Sequence, residues 1–396
     1  EQSQINVKSS SVRHGLSSTS ELHVRGGLGG CMRYRGDPRY YPGTEDYADI
    51  DENGFMTVIG NPLSTFSIDV DVASYANARR FIMLDRMPPP EAIRVEEFIN
   101  YFDYDYKKPE GDAPFSINLE YAVCPWNKDH NLVHIGLQGE ELDPEERKTS
   151  NLVFLIDVSG SMQPENKLPL LKKAFLLLLD ELDYNDQVSI VTYAGCTRVA
   201  LEPTFAADSE KIKAAIRGLG AGGSTAGHAG IQLAYEMAER HFIPGGNNRV
   251  ILATDGDFNV GISNTDDLVE MIEEKRETGI FLTVLGFGMG NYKDNRLEQL
   301  ADKGNGNHAY IDNLLEAKKV FVDDLTSTLY TIAKDVKIQV EFNPAKVASY
   351  RLIGYENRLL DKEDFEDDTK DAGEIGAGHT VTALYEIVPA GVPIDL

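Results

Sequence analysis

Asp157, Ser159 and Ser161 stand at alternate positions in the segment NLVFLIDVSGSMQPENK, directly after the apolar run Leu152 to Ile156. A buried strand needs only a turn at its end, and Gly160 alone would supply one. Three oxygen-bearing side chains in a tight loop therefore ask for something that collects them. Two more stretches carry the same kind of side chain after a strand or a glycine-rich turn: Thr225 in GAGGSTAGHAG, and Asp255 in ILATDGDFNVG, which ends its strand as Asp157 does. Two carboxylates, two serines and a threonine, without Cys or His, form an all-oxygen set suited to a hard cation such as Mg²⁺, Mn²⁺ or Ca²⁺. The plainer reading of the first loop alone is a strand-to-helix turn in which Ser161 or Asp157 caps backbone N–H groups.

Such chemistry needs elements that bring three loops to one edge. From Asn151 to about Ala333, short apolar runs (NLVFLIDV, QVSIVTYA, RVILATD, IFLTVLGFG, HAYI) alternate with amphipathic segments such as LPLLKKAFLLLLDEL, AGHAGIQLAYEMAERHF and TDDLVEMIEEKRE. The last of these segments, NLLEAKKVFVDDLTSTLYTIA, reads as one long helix. Continuous Val/Ile/Leu runs mark strands buried on both faces. The expected class is therefore α/β, with an open, mostly parallel, doubly wound sheet and helices on both faces. Ligands of such sheets sit beyond the carboxyl ends of the strands, where all three loops fall.

Asp-x-Ser-x-Ser at 157/159/161, Thr225 after Gly-Gly-Ser, and Thr-Asp-Gly at 254–256 together resemble the metal-ion-dependent adhesion site of von Willebrand factor type A domains. The resemblance implies that Ser159, Ser161 and Thr225 ligate a metal, with Asp157 and Asp255 doing so directly or through water. Mg²⁺ is the first expectation, with Mn²⁺ or Ca²⁺ in its place. Hydroxyl ligands are neutral, so two carboxylates leave the cation open to another anionic oxygen. In the family an Asp or Glu of a protein partner fills that position. The implied function is divalent-cation-dependent protein binding, in adhesion or assembly, rather than catalysis. The segments STFSIDVDVASYANARRFI and MPPPEAIRVEEFINYFDYDY and the β-rich tail resemble the flanks of a bacterial subfamily whose members often carry export leaders, so an exported bacterial protein is expected. By analogy, the last helix of the domain is a candidate to shift when ligand binds. Two other readings remain: a metal-dependent hydrolase or phosphatase, for which Lys167 is the basic residue nearest the first loop, and a structural module with a vestigial site.

The domain plan follows from shifts in pattern. Residues 1–58, rich in Ser, Gly, Arg and Tyr, read as a flexible leader. Residues 59–149 read as an α+β flank, 150–333 as the type A domain, and 334–396 as a β-rich extension packed with 59–149. Within the extension, DKEDFEDDTKDAGE reads as a solvated acidic loop. Length 396 suits more than one core. With 38 basic and 64 acidic residues, the net charge of −26 argues against nucleic acid or an anionic membrane as partner. No apolar run approaches the roughly 18 residues of a membrane span.

Other motifs fall to simpler explanations. Cys31, Cys124 and Cys196 form no metal-type cluster. LGGC ending at Cys31 has the form of a lipoprotein cleavage site, but SSTSELHVRGG upstream lacks the apolar stretch such a signal needs. Asp69 and Asp71 in FSIDVDVAS match the opening of haloacid-dehalogenase-type phosphatases, yet the lysine and distal acidic pair of such enzymes are missing, so a polar strand-to-helix entry is expected. DIDENGFMTVIG resembles half a calcium loop, but its twelfth position is Gly60 instead of an acid. His130 and His134, on one strand, would lie about 13 Å apart, too far to share a zinc ion. His228 is expected at a solvent-facing helix start, and Asp257 and Asn259 in ordinary turn roles.

Overall fold

Three sheets organise the chain, and its two ends meet in the pair that flanks the third. The computed structural model describes residues 6–10, 45–143, 147–223, 227–256, 265–367 and 370–393. The chain enters through β1 (Asn6–Ser10), β2 (Met56–Thr57), β3 (Leu63–Ser67), helices α1 (Ala73–Met83) and α2 (Val95–Asn100), and the hairpin β4 (Phe115–Val123) and β5 (Asn131–Gly139). The central region follows: β6 (Ser150–Asp157), α3 (Leu168–Leu179), β7 (Gln187–Tyr193), β8 (Thr197–Phe205), α4 (Ser209–Gly218), α5 (Gly227–Arg240), β9 (Asn247–Thr254), α6 (Thr265–Glu277), β10 (Ile280–Phe287), α7 (Asp294–Lys303), β11 (His308–Ile311), α8 (Leu314–Lys318) and α9 (Leu325–Leu329). The tail is β12 (Thr331–Glu341), β13 (Val347–Ile353), β14 (Leu359–Leu360), β15 (Gly373–Gly376) and β16 (Thr380–Pro389).

The central sheet has six strands in the order β11-β10-β9-β6-β7-β8. Every neighbouring pair is parallel except β7 with β8. Each residue of β6 and β9 is buried, as uninterrupted apolar runs require when helices cover both faces. Alternate side chains serve opposite cores. Leu152, Phe154 and Ile156 pack with α3 and α4, while Val153 and Leu155 pack with α5, α6, α7 and α1. The chain runs outward from β6 in one direction through β7 and β8 and in the other through β9 to β11. The carboxyl end of β6 is thus the point where strand order reverses and a crevice opens.

The flanks form two antiparallel sheets. One runs β1-β12-β3-β14, with β15 also on β12, and the other runs β2-β13-β16-β5-β4. Strand β5 from before the central region pairs with β16 from after it, Val133 opposite Tyr385. Phe66, Ile135, Leu137, Ile338, Val340, Tyr385 and their neighbours fill the core between the two sheets.

Three expectations need correction. Described parts of the supposed leader are built into the fold. Residues 6–10 pair with β12, Met56 and Thr57 pair with β13, and Glu45 accepts hydrogen bonds from the Arg80 guanidinium and the Gly290 N–H. Long-range pairing of this kind leaves no periodic trace in composition. The expected last helix is broken: a π turn at 319–323 separates α8 from α9, and the chain is already extended at Thr331, where β12 begins. Pairing of β12 with β15 and β3 overrides the helical pattern of the residues that follow Leu329. The apolar alternation of Thr197 to Phe205 forms β8, an antiparallel edge strand absent from the sequence reading.

Candidate metal centre

Asp157 is the last residue of β6, fully buried, and the turn beyond it folds around its carboxylate: the Ser159 N–H donates to Oδ1 at 2.8 Å. A short 3₁₀ turn at 160–162 then carries Ser161 back, so that the hydroxyls of Ser159 and Ser161 lie 2.9 Å apart. Asp255 follows the last residue of β9, the strand beside β6, and is fully buried as well. Gly256 turns the chain at φ +95°, and a Cβ there would come within 2.6 Å of the Lys293 backbone nitrogen, so this turn accepts only glycine. The Ser161 hydroxyl hydrogen-bonds Asp255, which joins the first and third loops side chain to side chain.

The second loop reaches the same place by its backbone. The Gly222 N–H donates to the Val158 carbonyl at 2.7 Å, and the Gly160 N–H donates to the Gly223 carbonyl at 3.1 Å. Thr225, Asp257 and Asn259 lie outside the described residues, as do Cys31 and the side chain of His228. The other four proposed ligands, Asp157, Ser159, Ser161 and Asp255, do come together at the strand-order reversal.

One participant is hard to recognise from sequence alone. Lys167, buried before α3, donates to Asp255 Oδ2 at 2.8 Å and to Asn291 Oδ1 at 3.2 Å. Its side chain runs over Gly288, at φ +77°, where a Cβ would come within 2.1 Å of the lysine Cε. The glycine in GFGMG is the one sequence signal that something must pass close to the backbone there. Asn291 carries no such signal, because a loop asparagine is ordinary turn chemistry.

The two carboxylates respond differently to one environment. Burial, reinforced by the charge of Asp255 and opposed by the hydrogen bonds of Ser159, pushes Asp157 up to about 6. Burial acts on Asp255 too, but the Lys167 ammonium together with Ser161 and Asn291 outweighs it and holds this carboxyl below its usual range. Tyr193, at the end of β7, contacts Asp157 and Thr254 through its side chain. Among the described residues no three His, Cys, Asp or Glu converge as a metal cage. A divalent ion here would therefore rest on two carboxylates and the neutral serine hydroxyls, a donor set that fits Mg²⁺ or Ca²⁺ and does not fit a soft metal.

The remaining sequence candidates do other work. His130 and His134 are engaged separately, His130 with Glu386 at 2.5 Å and His134 with the Tyr106 hydroxyl at 2.8 Å. Asn53 of the half calcium loop donates to the carbonyls of Leu352 and Gly354. Asp69 and Asp71 sit between β3 and α1, buried against Arg358.

Residues 151–324 match the family model of the von Willebrand factor type A domain. Residues 41–134 match a von Willebrand factor model, and residues 327–396 match the C-terminal region of the uncharacterized protein YfbK. YfbK of Escherichia coli (strain K12) is 47% identical over 357 residues, 88% of this chain and 62% of YfbK. The chain thus spans less than two thirds of that relative. Inter-alpha-trypsin inhibitor heavy chain H3 of Homo sapiens is 30% identical over 224 residues, 53% of this chain and 23% of the inhibitor chain. Among solved structures, von Willebrand factor type A from Catenulispora acidiphila overlaps 72% of this chain and 75% of its own at 16% identity and a TM-score of 0.41.

Proposed function

We propose, for a chain that belongs to the von Willebrand factor type A domain proteins, that it binds a protein partner through a divalent cation held by Asp157, Ser159, Ser161 and Asp255, with Thr225 as the fifth ligand. The family is known for protein–protein interaction, and the metal dependence is the part proposed here. The observation that carries the reading is the meeting of four oxygen-bearing side chains at the carboxyl ends of β6 and β9, with Lys167 already on Asp255. A bound divalent ion would supply Lewis acidity toward an anionic oxygen. The chain's own charges set its appetite. Two carboxylates, one buried ammonium and a divalent ion leave one positive charge over, which favours a carboxylate from the partner. The serine hydroxyls donate oxygen without adding negative charge, and Gly160 and Gly223 hold the loops close. Export from a bacterial cell belongs to the same proposal and rests on the resemblance of the flanks. Among the described residues no helix is long and apolar enough to cross a membrane. The hydrolase alternative gains no support at the loop, where Lys167 is taken up by Asp255 and Asn291.

Calorimetric titration of Mg²⁺, Mn²⁺ and Ca²⁺ into chelator-treated protein tests the reading. One saturable site, lost in Asp157→Ala, is the expected result. Metal binding unchanged by that substitution overturns it, as does capture of an acidic peptide that is indifferent to chelator.

A further inference from the structure

A second group of buried acids lies away from the sheet edge, where all three regions of the chain meet. A cavity of about 150 Å³ is lined by Asp69 and Asp71 from the entry to α1, Asp302 from α7, Arg358 from the turn before β14, Asp371, and Glu374 from β15. Five carboxylates thus face one guanidinium. Arg358 serves three of them: its Nη2 lies 2.8 Å from Asp302, 3.3 Å from Asp69 and 3.7 Å from Asp71. Arg276 bonds Asp371 at 2.7 Å from outside the lining. Asp69 and Asp71 are each 3% exposed. Their Oδ1 atoms are used, Asp69 by the Asp71 N–H and Asp71 by the His308 N–H at 2.7 Å. Their Oδ2 atoms, and Oε1 of Glu374, are buried without a hydrogen-bond donor.

Buried acceptors without donors, and buried charges in excess of their counterions, each cost free energy that a cationic donor would recover. The neighbouring acids show the same imbalance. Burial, with Asp371 and Asp335, pushes Glu374 up to about 8, and burial, with Asp69 and Asp302, pushes Asp71 well above the carboxylate range. Among the described residues no three His, Cys, Asp or Glu converge as a metal cage, and Ca²⁺ is the competing occupant to test. Three unpartnered carboxylate oxygens on residues of the lining suit a group with several N–H donors.

We propose that this cavity binds an organic cation, an alkylammonium or guanidinium group supplied by a free polyamine or by a basic side chain of a peptide. Its donors reach Asp69 Oδ2, Asp71 Oδ2 and Glu374 Oε1, and Arg358 sets its inner limit. Because Asp69, Asp302 and Glu374 belong to the N-terminal flank, the central domain and the C-terminal flank, the bound cation ties the three together.

The test is calorimetric titration of the full chain, in chelator, with spermidine and with the peptide acetyl-Gly-Arg-Gly-amide; CaCl₂ is titrated separately without chelator. Saturable binding of either amine is expected, and whichever binds more tightly names the source. Loss of one charged hydrogen bond should weaken that binding by about tenfold or more in Asp71→Asn and in Glu374→Gln. Glu374 comes from β15 rather than from the entry to α1, so its variant keeps the test open if Asp71→Asn folds poorly. Asp157→Ala should leave amine affinity unchanged, which separates the cavity from the sheet edge. No saturable amine binding at millimolar concentration overturns the proposal. So does amine binding that neither cavity variant weakens, or binding of Ca²⁺ that Glu374→Gln abolishes while neither amine binds.

Discussion

Strand β6 ends in Asp157, and Asp69 stands two residues past the end of β3; each aspartate is followed, two residues on, by another oxygen-bearing side chain, Ser159 and Asp71. Both aspartates accept the backbone N–H of the second residue, at 2.8 Å and 3.1 Å. The difference lies in the second side chain and in the cation that answers it. After β6 the second group is a neutral hydroxyl, and a lysine reaches the neighbouring Asp255, so the local charge is nearly balanced and room remains for one more ion. After β3 the second group is another carboxylate, and one arginine is divided among three acids. Similar turns thus place buried acids in opposite regimes, one arranged around its own ammonium and one left short of positive charge.

The comparison can be broken most severely at Arg358. Arg358→Met should strip Asp69, Asp71 and Asp302 of their shared counterion and cost about 5 kcal/mol, the upper end for a buried pair that loses one partner, read from urea unfolding. A loss below about 1 kcal/mol would mean that these acids do not depend on Arg358 for their countercharge. Lys167→Met is the matching change at the sheet edge, with an expected cost of about 4 kcal/mol in chelator. Excess Mg²⁺ should narrow that gap, because the ion can take over the countercharge of Asp255. A gap that Mg²⁺ leaves untouched argues against metal at this carboxylate.

Glu96 sharpens the comparison on the acid-rich side. It is 1% exposed, and burial, with the charge of Asp69, pushes its carboxyl from 4.5 up to about 7. The folded state then holds its proton more tightly than the unfolded chain, so stability falls as the pH rises between those two values. Glu96→Gln removes this dependence. The variant and the wild type should coincide below pH 4.5, and the variant should be the more stable by up to roughly 3 kcal/mol at neutral pH. Parallel stability profiles would show that Glu96 stays ionised in the fold. The smallest stability effect belongs to Ser159→Ala, which removes a neutral hydroxyl and costs about 1 kcal/mol or less. The same change should weaken Mg²⁺ binding by about tenfold or more, the size found even for groups that only support metal ligands.

What could be read without coordinates was whatever rests on local pattern. The apolar runs of β6, β9 and β10 announce buried parallel strands because both faces of each are covered, and no polar alternation interrupts them. The grouping of Asp157, Ser159, Ser161 and Asp255 was legible for the same reason: parallel neighbours in a doubly wound sheet deliver their carboxyl ends to one edge. Tertiary structure alone decided the rest. Thr331 opens a strand because Gly376 of β15 is there to pair with it, although its own neighbourhood reads as helix. Lys167 becomes the counterion of a residue 88 positions away only because Gly288 leaves a path for its side chain. The cavity at Asp69 and Asp71 exists because residues from both flanks and α7 arrive at one place. Charge in a sequence is a sum over the chain. The free energy of a buried charge depends on which few groups stand within several ångströms of it, and folding sets those distances.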